Sequence, residues 1–143
     1  MSNSLLAPGA VLVLWTVFMF GWVAATRFPA MKKAGIDLSK SPPGGRGADL
    51  EKILPPETNW KSHNYTHRLE QPTLFYAVLL ILNAVGGYPA YVVWLAWAYT
   101  ILRIIHSIWQ STVNRIPVRF ALFFASTLCL FVLALLAVIA TLG

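Results

Sequence analysis

Ser62-His63-Asn64-Tyr65-Thr66-His67-Arg68-Leu69-Glu70-Gln71-Pro72 decides how the rest of this chain is read. This polar stretch runs directly into an apolar segment that continues to Val85. With a helix beginning near Tyr65, two imidazoles (His63, His67) and a carboxylate (Glu70) fall at spacings of four and three. They therefore share one helical face. Ionisable groups at the mouth of a membrane helix are costly and need partners. Those partners have to come from elsewhere in the chain.

The surrounding composition is that of a membrane protein. Of 143 residues, 57% are hydrophobic and 11% charged, with a mean hydropathy of +0.64. A soluble domain carries roughly 25% charged residues. One membrane domain over 1–143 is expected. The net charge of +6 invites a nucleic-acid reading, but its distribution excludes that partner. Eight of the eleven Lys and Arg residues lie between Arg27 and Arg68, none precedes Arg27 and none follows Arg119. This is charge that orients membrane helices, whereas nucleic-acid binding calls for a basic, solvated fold. Cys129 is the single cysteine, so no intrachain disulfide forms.

Four helices are predicted, at about 5–26, 65–85, 90–114 and 117–142. The first apolar run suffices to cross a hydrocarbon core of roughly 30 Å. It reads as a retained helix and not a cleaved leader, since Met1-Ser-Asn-Ser has no basic residue and the run is long for a leader core. The segment 27–64 reads as an irregular cytoplasmic loop with a short helical turn near Ala48. It is interrupted by Ser41-Pro-Pro-Gly-Gly-Arg-Gly47 and Pro55-Pro56. Its glycines lack the Gly-Lys-Ser/Thr of a phosphate loop, so flexibility is their expected role. Pro72 is tolerated near a helix start with a kink, and Gly86-Gly87-Tyr88-Pro89 forms a tight turn. Both charged connections then face the cytoplasm and both termini the other side, in the inner membrane if the source is bacterial.

The tight turn sets the register of the second and third helices. Glu70 lies sixteen residues before Gly86, and Arg103 sixteen after Gly87. At about 1.5 Å per residue, both sit roughly 24 Å from the turn. Tyr99, Arg103, His106 and Gln110 form one polar stripe on an apolar helix. Antiparallel packing brings that stripe against His63, His67 and Glu70. Glu70 is expected to pair with Arg103, and His67 to meet His106 or Gln110. Arg115 and Arg119 add positive charge at the same end. Taken alone, a Glu70–Arg103 pair is a structural ion pair. The whole group suits an anionic amphiphile or a polar cofactor serving a lipophilic substrate. A metal site through His63, His67 and His106 is the further alternative; Arg103 opposes it, and no metal is assigned. Asn64-Tyr-Thr66 matches a glycosylation sequon, but on the cytoplasmic side.

Three segments carry a resemblance: His67-Arg-Leu-Glu70-Gln-Pro72-Thr-Leu-Phe75-Tyr76, Ala96-Trp97-Ala98-Tyr99-Thr-Ile-Leu-Arg103-Ile-Ile-His106-Ser107, and Asn114-Arg115-Ile-Pro117-Val-Arg119-Phe120. They resemble the MAPEG family, membrane-associated proteins of eicosanoid and glutathione metabolism, above all its bacterial branch. The resemblance spans about 5–142. It implies an all-α four-helix membrane bundle assembled as a homotrimer, with glutathione bound between neighbouring protomers. It also implies transfer of glutathione to lipophilic substrates, or peroxide reduction. By position it makes Arg119 the residue that stabilises the thiolate, with Glu70, Arg103 and His106 as further anchors of the ligand site. Four positions depart from the family pattern: His67 stands for Asn, His63 for Arg, Gln110 for Tyr and Phe120 for Ser. A non-catalytic membrane scaffold or accessory subunit is the alternative from another functional class.

Overall fold

The structure, a computed structural model, describes residues 5–143, so the uncharged stretch 1–4 lies outside the described residues. Among the described residues, five α-helices follow one another: α1 (Leu6–Lys33), α2 (Pro56–Arg68), α3 (Gln71–Val85), α4 (Ala90–Thr112) and α5 (Ile116–Leu142). Three of them, α1, α4 and α5, are long and apolar enough to cross a bilayer. The chain is an all-helical integral membrane protein. The expected second helix is divided. Pro72 has no N–H to give and crowds the carbonyl of the preceding turn, and the chain breaks at Leu69 and Glu70, with Glu70 at φ −88°, ψ −100°. The Glu70 carbonyl accepts from the backbone N–H and the hydroxyl of Thr73, at 3.2 and 2.6 Å. That serves one of the first free amides of α3.

Most of the expected loop is structured. α1 continues past the basic boundary at Arg27 and through Pro29 to Lys33. Pro56 opens α2 at its first turn, Glu57 follows there, and His67 and Arg68 close its last turn. That is the charge order a helix dipole favours. Two short 3-10 turns, Leu38–Lys40 and Gly47–Leu50, join the two helices. Arg27 pins this connection, donating to the Gly47 carbonyl and, at 2.9 Å, to the Ser62 hydroxyl.

The apolar core lies toward the Gly86-Gly87 turn. Leu5, Leu12, Phe75, Leu79, Leu82, Val92, Ala96, Leu133 and Ala137 are buried together. Gly9 lets α1 approach α3: a Cβ there would stand 3.0 Å from Leu79 Cδ1, so close packing replaces side-chain volume. At Gly86 and Gly87 positive φ values of 73° and 67° close the α3–α4 turn. Toward the other, charged end the buried residues become polar: Asn64, Arg68, Thr100, Arg103, His106, Ser107, Gln110 and Ser111.

Candidate functional site

α2 delivers His67 to the charged end of α4. The ring of His67 lies 5.3 Å from that of His106 and 5.4 Å from that of Phe123, centroid to centroid. Its Nδ1 is 3.1 Å from Glu70 Oε2, and its Nε2 is 3.4 Å from Arg103 Nη1. The expected direct Glu70–Arg103 pair is therefore replaced by a relay in which His67 stands between them. Among the described residues, no ion pair joins the two charges. The cause is the break at Glu70. It leaves the carboxylate side chain 63% exposed at the end of α2, while Arg103 is fully buried. Burial, followed by the Arg103 charge, holds His67 below the usual imidazole range, with Glu70 opposing. At pH 7 the imidazole is thus neutral, and it accepts from Arg103 on Nε2 when its proton sits on Nδ1 facing Glu70.

The polar stripe of α4 faces inward. Tyr99, Arg103, His106 and Gln110 are all buried. Tyr99 stacks on Phe75 at 4.2 Å and donates to Gln71 Oε1 at 3.3 Å. Beside the stripe lies a cavity of about 280 Å³. His67, His106, Gln110 and Arg119 provide its polar wall, and Ile116, Phe120 and Phe123 its apolar wall. His106 Nδ1 and Gln110 Oε1 are buried without a partner among the described residues. Arg119 is fixed by the α4–α5 turn. Its Nη1 donates to Asn114 Oδ1 at 2.7 Å. Asn114 adopts φ +52°, a conformation asparagine tolerates better than most side chains. Its amide donates to the Trp109 carbonyl at 2.8 Å, and Trp109 Nε1 donates to the Arg115 carbonyl at 3.1 Å.

The structure thus brings together four of the sequence-predicted residues, His67, His106, Gln110 and Arg119, around one cavity. Arg103 stands behind His67, and its guanidinium lies 5.5 Å from the Phe123 ring centre. Glu70 touches the site only through His67. His63 is not part of it: its Nε2 meets Glu51 Oε1 at 2.7 Å in an exposed pair, because the connection before α2 folds back over that helix. Arg115 is exposed and outside the cavity lining. The metal arrangement through His63, His67 and His106 loses its first imidazole to Glu51. Among the described residues, no group of three or more His, Cys, Asp or Glu is placed to hold a metal. The sequon is closed as well, since Asn64 is fully buried and donates to Ser107 Oγ at 2.7 Å.

Three contributors escaped the sequence reading. Phe123 sets its ring against His67 at a tilt of 46° and lies one helical turn after Arg119, the spacing that could have found it. Asn114 was legible as a possible left-handed cap ahead of Ile116-Pro117. Arg68 is 1% exposed, on the opposite side of α2 from the exposed His63, and its i, i+4 spacing from the buried Asn64 marks that inner face. Its Nη1 donates to the Arg103 carbonyl at 2.9 Å, and its Nε to Thr16 Oγ1 at 3.3 Å. Burial, and next the charge of Arg103, push the Arg68 guanidinium down to about 10, which leaves it charged at neutral pH.

No curated protein and no solved structure matches the chain in sequence or structure comparisons. The family comparison does. The family model described as MAPEG family matches residues 5–139, nearly the whole length, including every element that builds the cavity. This integral membrane protein, with its His67–Arg119 cavity at the charged end of the bundle, belongs to the MAPEG family.

Proposed function

We propose that the cavity between His67, His106, Gln110 and Arg119 binds glutathione or a similar anionic thiol, and that the protein transfers this thiol to a lipophilic substrate or uses it to reduce one. The carrying observation is the composition of the cavity wall. Basic and neutral nitrogen groups face an apolar surface of Ile116, Phe120 and Phe123 within one space of about 280 Å³. The residues fit the ligand's chemistry. Glutathione carries an ammonium for which the unpartnered Gln110 Oε1 is an acceptor, and an ionisable thiol for the Arg119 guanidinium. When bound, it supplies the nucleophilic sulfur. A free thiol with a pKa of about 8.5 is mostly protonated at neutral pH, and a guanidinium beside it favours the thiolate. Arg119 takes that role, Asn114 holds it in place, and Phe120 and Phe123 exclude water from one side. A homotrimer would complete the cavity with a neighbouring protomer, as the family membership suggests.

Equilibrium dialysis of the detergent-purified protein against labelled glutathione, with the oligomer checked by light scattering, tests this reading. Saturable binding in the millimolar range or tighter supports it. An intact oligomer that binds none at millimolar thiol sinks it. A second reading, a non-catalytic membrane scaffold, has one observation in its favour. His67 already couples Glu70 to Arg103, so part of the cluster is satisfied without a ligand. It predicts that no thiol binds and that loss of His67 is felt only in stability.

A further inference from the structure

Two imidazoles line the His67–Arg119 cavity, and their nitrogens are held differently. His106 Nδ1 is buried without a partner among the described residues, so no contact there fixes its tautomer. His67 carries a carboxylate on one nitrogen: Glu70 Oε2 stands 3.1 Å from Nδ1. The break in the chain between α2 and α3 places Glu70 there, outside both helices. A carboxylate at Nδ1 holds the proton on that nitrogen and makes Nε2 the acceptor. The group now at Nε2 is Arg103 Nη1, at 3.4 Å, longer than an ordinary N–H hydrogen bond. A donor with a better approach can displace it.

The charges around His67 favour a second anion in this space. Arg68 lies next to it on α2, Arg103 and His106 come from α4, and Arg119 of α5 lines the same cavity. Glu70, from the link between α2 and α3, is the one carboxylate among them. Burial, and next the Arg103 charge, keep the imidazole unprotonated at rest, the state a base requires. Glu70 already favours the charged form, and an anion in the cavity favours it further.

A base needs an acceptor nitrogen, a group that orients it and a cavity that admits the proton donor, and His67 has all three. Resting on the thiol reading above, we propose that His67 accepts the proton of the bound thiol and that Glu70 is its positioning residue. The S–H bond breaks, the proton passes to Nε2, and the electron pair stays on sulfur as a thiolate that Arg119 stabilises. Thiol and imidazole thus become an ion pair, with no change in total charge and no proton lost to water. The two residues have separate tasks: His67 takes the proton, and Arg119 holds the charge left behind. A cavity in which Arg119 acted alone would form the same thiolate but discharge its proton into solution.

The test adds glutathione to the full-length protein in detergent at pH 7 in weak buffer. Thiolate is read by ultraviolet absorbance and released protons by an indicator dye, with S-methylglutathione, which lacks the thiol, as the blank. The native protein is expected to release about half a proton or less for each thiolate formed. His67→Asn should form less thiolate and release about one proton for each. Glu70→Gln keeps a hydrogen-bonding side chain without the charge, and should move the ratio toward that of His67→Asn. A role in folding alone changes the amount of thiolate and leaves the ratio unmoved. Nitrogen NMR of the native protein reads the same event without a variant: one imidazole should gain a proton as glutathione binds. A whole proton released per thiolate, with no imidazole protonated, overturns the proposal and leaves the thiol reading standing. Thiol that binds but never ionises overturns it too. An intact oligomer with no saturable binding at millimolar thiol removes the reading beneath the proposal, and the proposal with it.

Discussion

At the turn end of the bundle, Phe75, Leu79, Val92, Ala96, Leu133 and Ala137 fill the space between α1, α3, α4 and α5 with hydrocarbon. At the charged end, the same α4 meets α2 and buries Asn64, Arg68, Arg103, His106, Gln110 and Ser111, several of them with unpartnered atoms. A membrane protein gains little from merely burying apolar groups, because lipid is as apolar as its core, so the first region holds by close packing. The second leaves buried polar groups incompletely satisfied, a cost that interiors accept mainly where function requires it. The contrast teaches that stability and chemistry are divided along the length of these helices, and each half can be perturbed separately.

The largest expected effect is on packing. Phe75→Ala removes a fully buried ring that stacks on Tyr99 and should cost about 3–5 kcal/mol, read as a lowered unfolding midpoint in detergent. Ligand affinity should change only as far as unfolding changes it. Arg119→Ala is the mirror image. It should reduce thiol-dependent turnover about 100-fold, the scale of losing one preorganised stabiliser of developing charge, and leave the unfolding midpoint nearly unchanged. If Arg119→Ala unfolds the protein, or Phe75→Ala leaves it as stable as before, the division is wrong.

Smaller perturbations sharpen it. Asn114→Ala loses both the Arg119 contact and the tolerance for φ +52°, and should destabilise by about 1–2 kcal/mol. Asn114→Gly keeps the backbone and loses only the contact, so its effect should appear in thiol binding and not in the unfolding midpoint. His67 sets a pH dependence. Burial and Arg103 hold its folded pKa below 6.5, so as pH falls through 6.5 the unfolded chain takes up a proton first. Its contribution to stability is complete above pH 6.5 and declines from there toward the folded value. Comparing unfolding midpoints of the protein and His67→Asn between pH 5 and 7 should isolate that slope. The smallest effect belongs to His63→Gln. Its pair with Glu51 is nearly half exposed on both sides and should be worth no more than about 1 kcal/mol, with no change in binding.

The same division explains what the sequence could disclose. Long apolar runs and the Gly86-Gly87 turn made α1, α4 and α5 legible, and register arithmetic placed Arg103 at the level of the α3 entry. Helix ends at the charged face were not legible, because they depend on tertiary contacts. α1 runs on to Lys33 while Arg27 ties it to Ser62 and the Gly47 turn. α2 is too polar to register as an apolar run, yet Pro56-Glu57 was a valid start signal. Of the site, the inward stripe Tyr99, Arg103, His106, Gln110 followed from periodicity alone. The partners within it did not. Pro72 breaks the helix at Glu70, and a one-residue difference in face separates Arg68 from His67. Sequence spacing shows which residues share a face, but it does not show that Glu51 will reach His63 from a folded-back connection.

The central claim is that the polar half holds a thiol whose ionisation Arg119 controls. Ultraviolet difference absorbance of glutathione bound to the purified protein, titrated across pH beside Arg119→Ala, tests it most directly. The account predicts a bound thiol ionising below the free value of about 8.5, and a return toward that value in Arg119→Ala. Bound glutathione that ionises as it does free in solution, in both proteins alike, would contradict it.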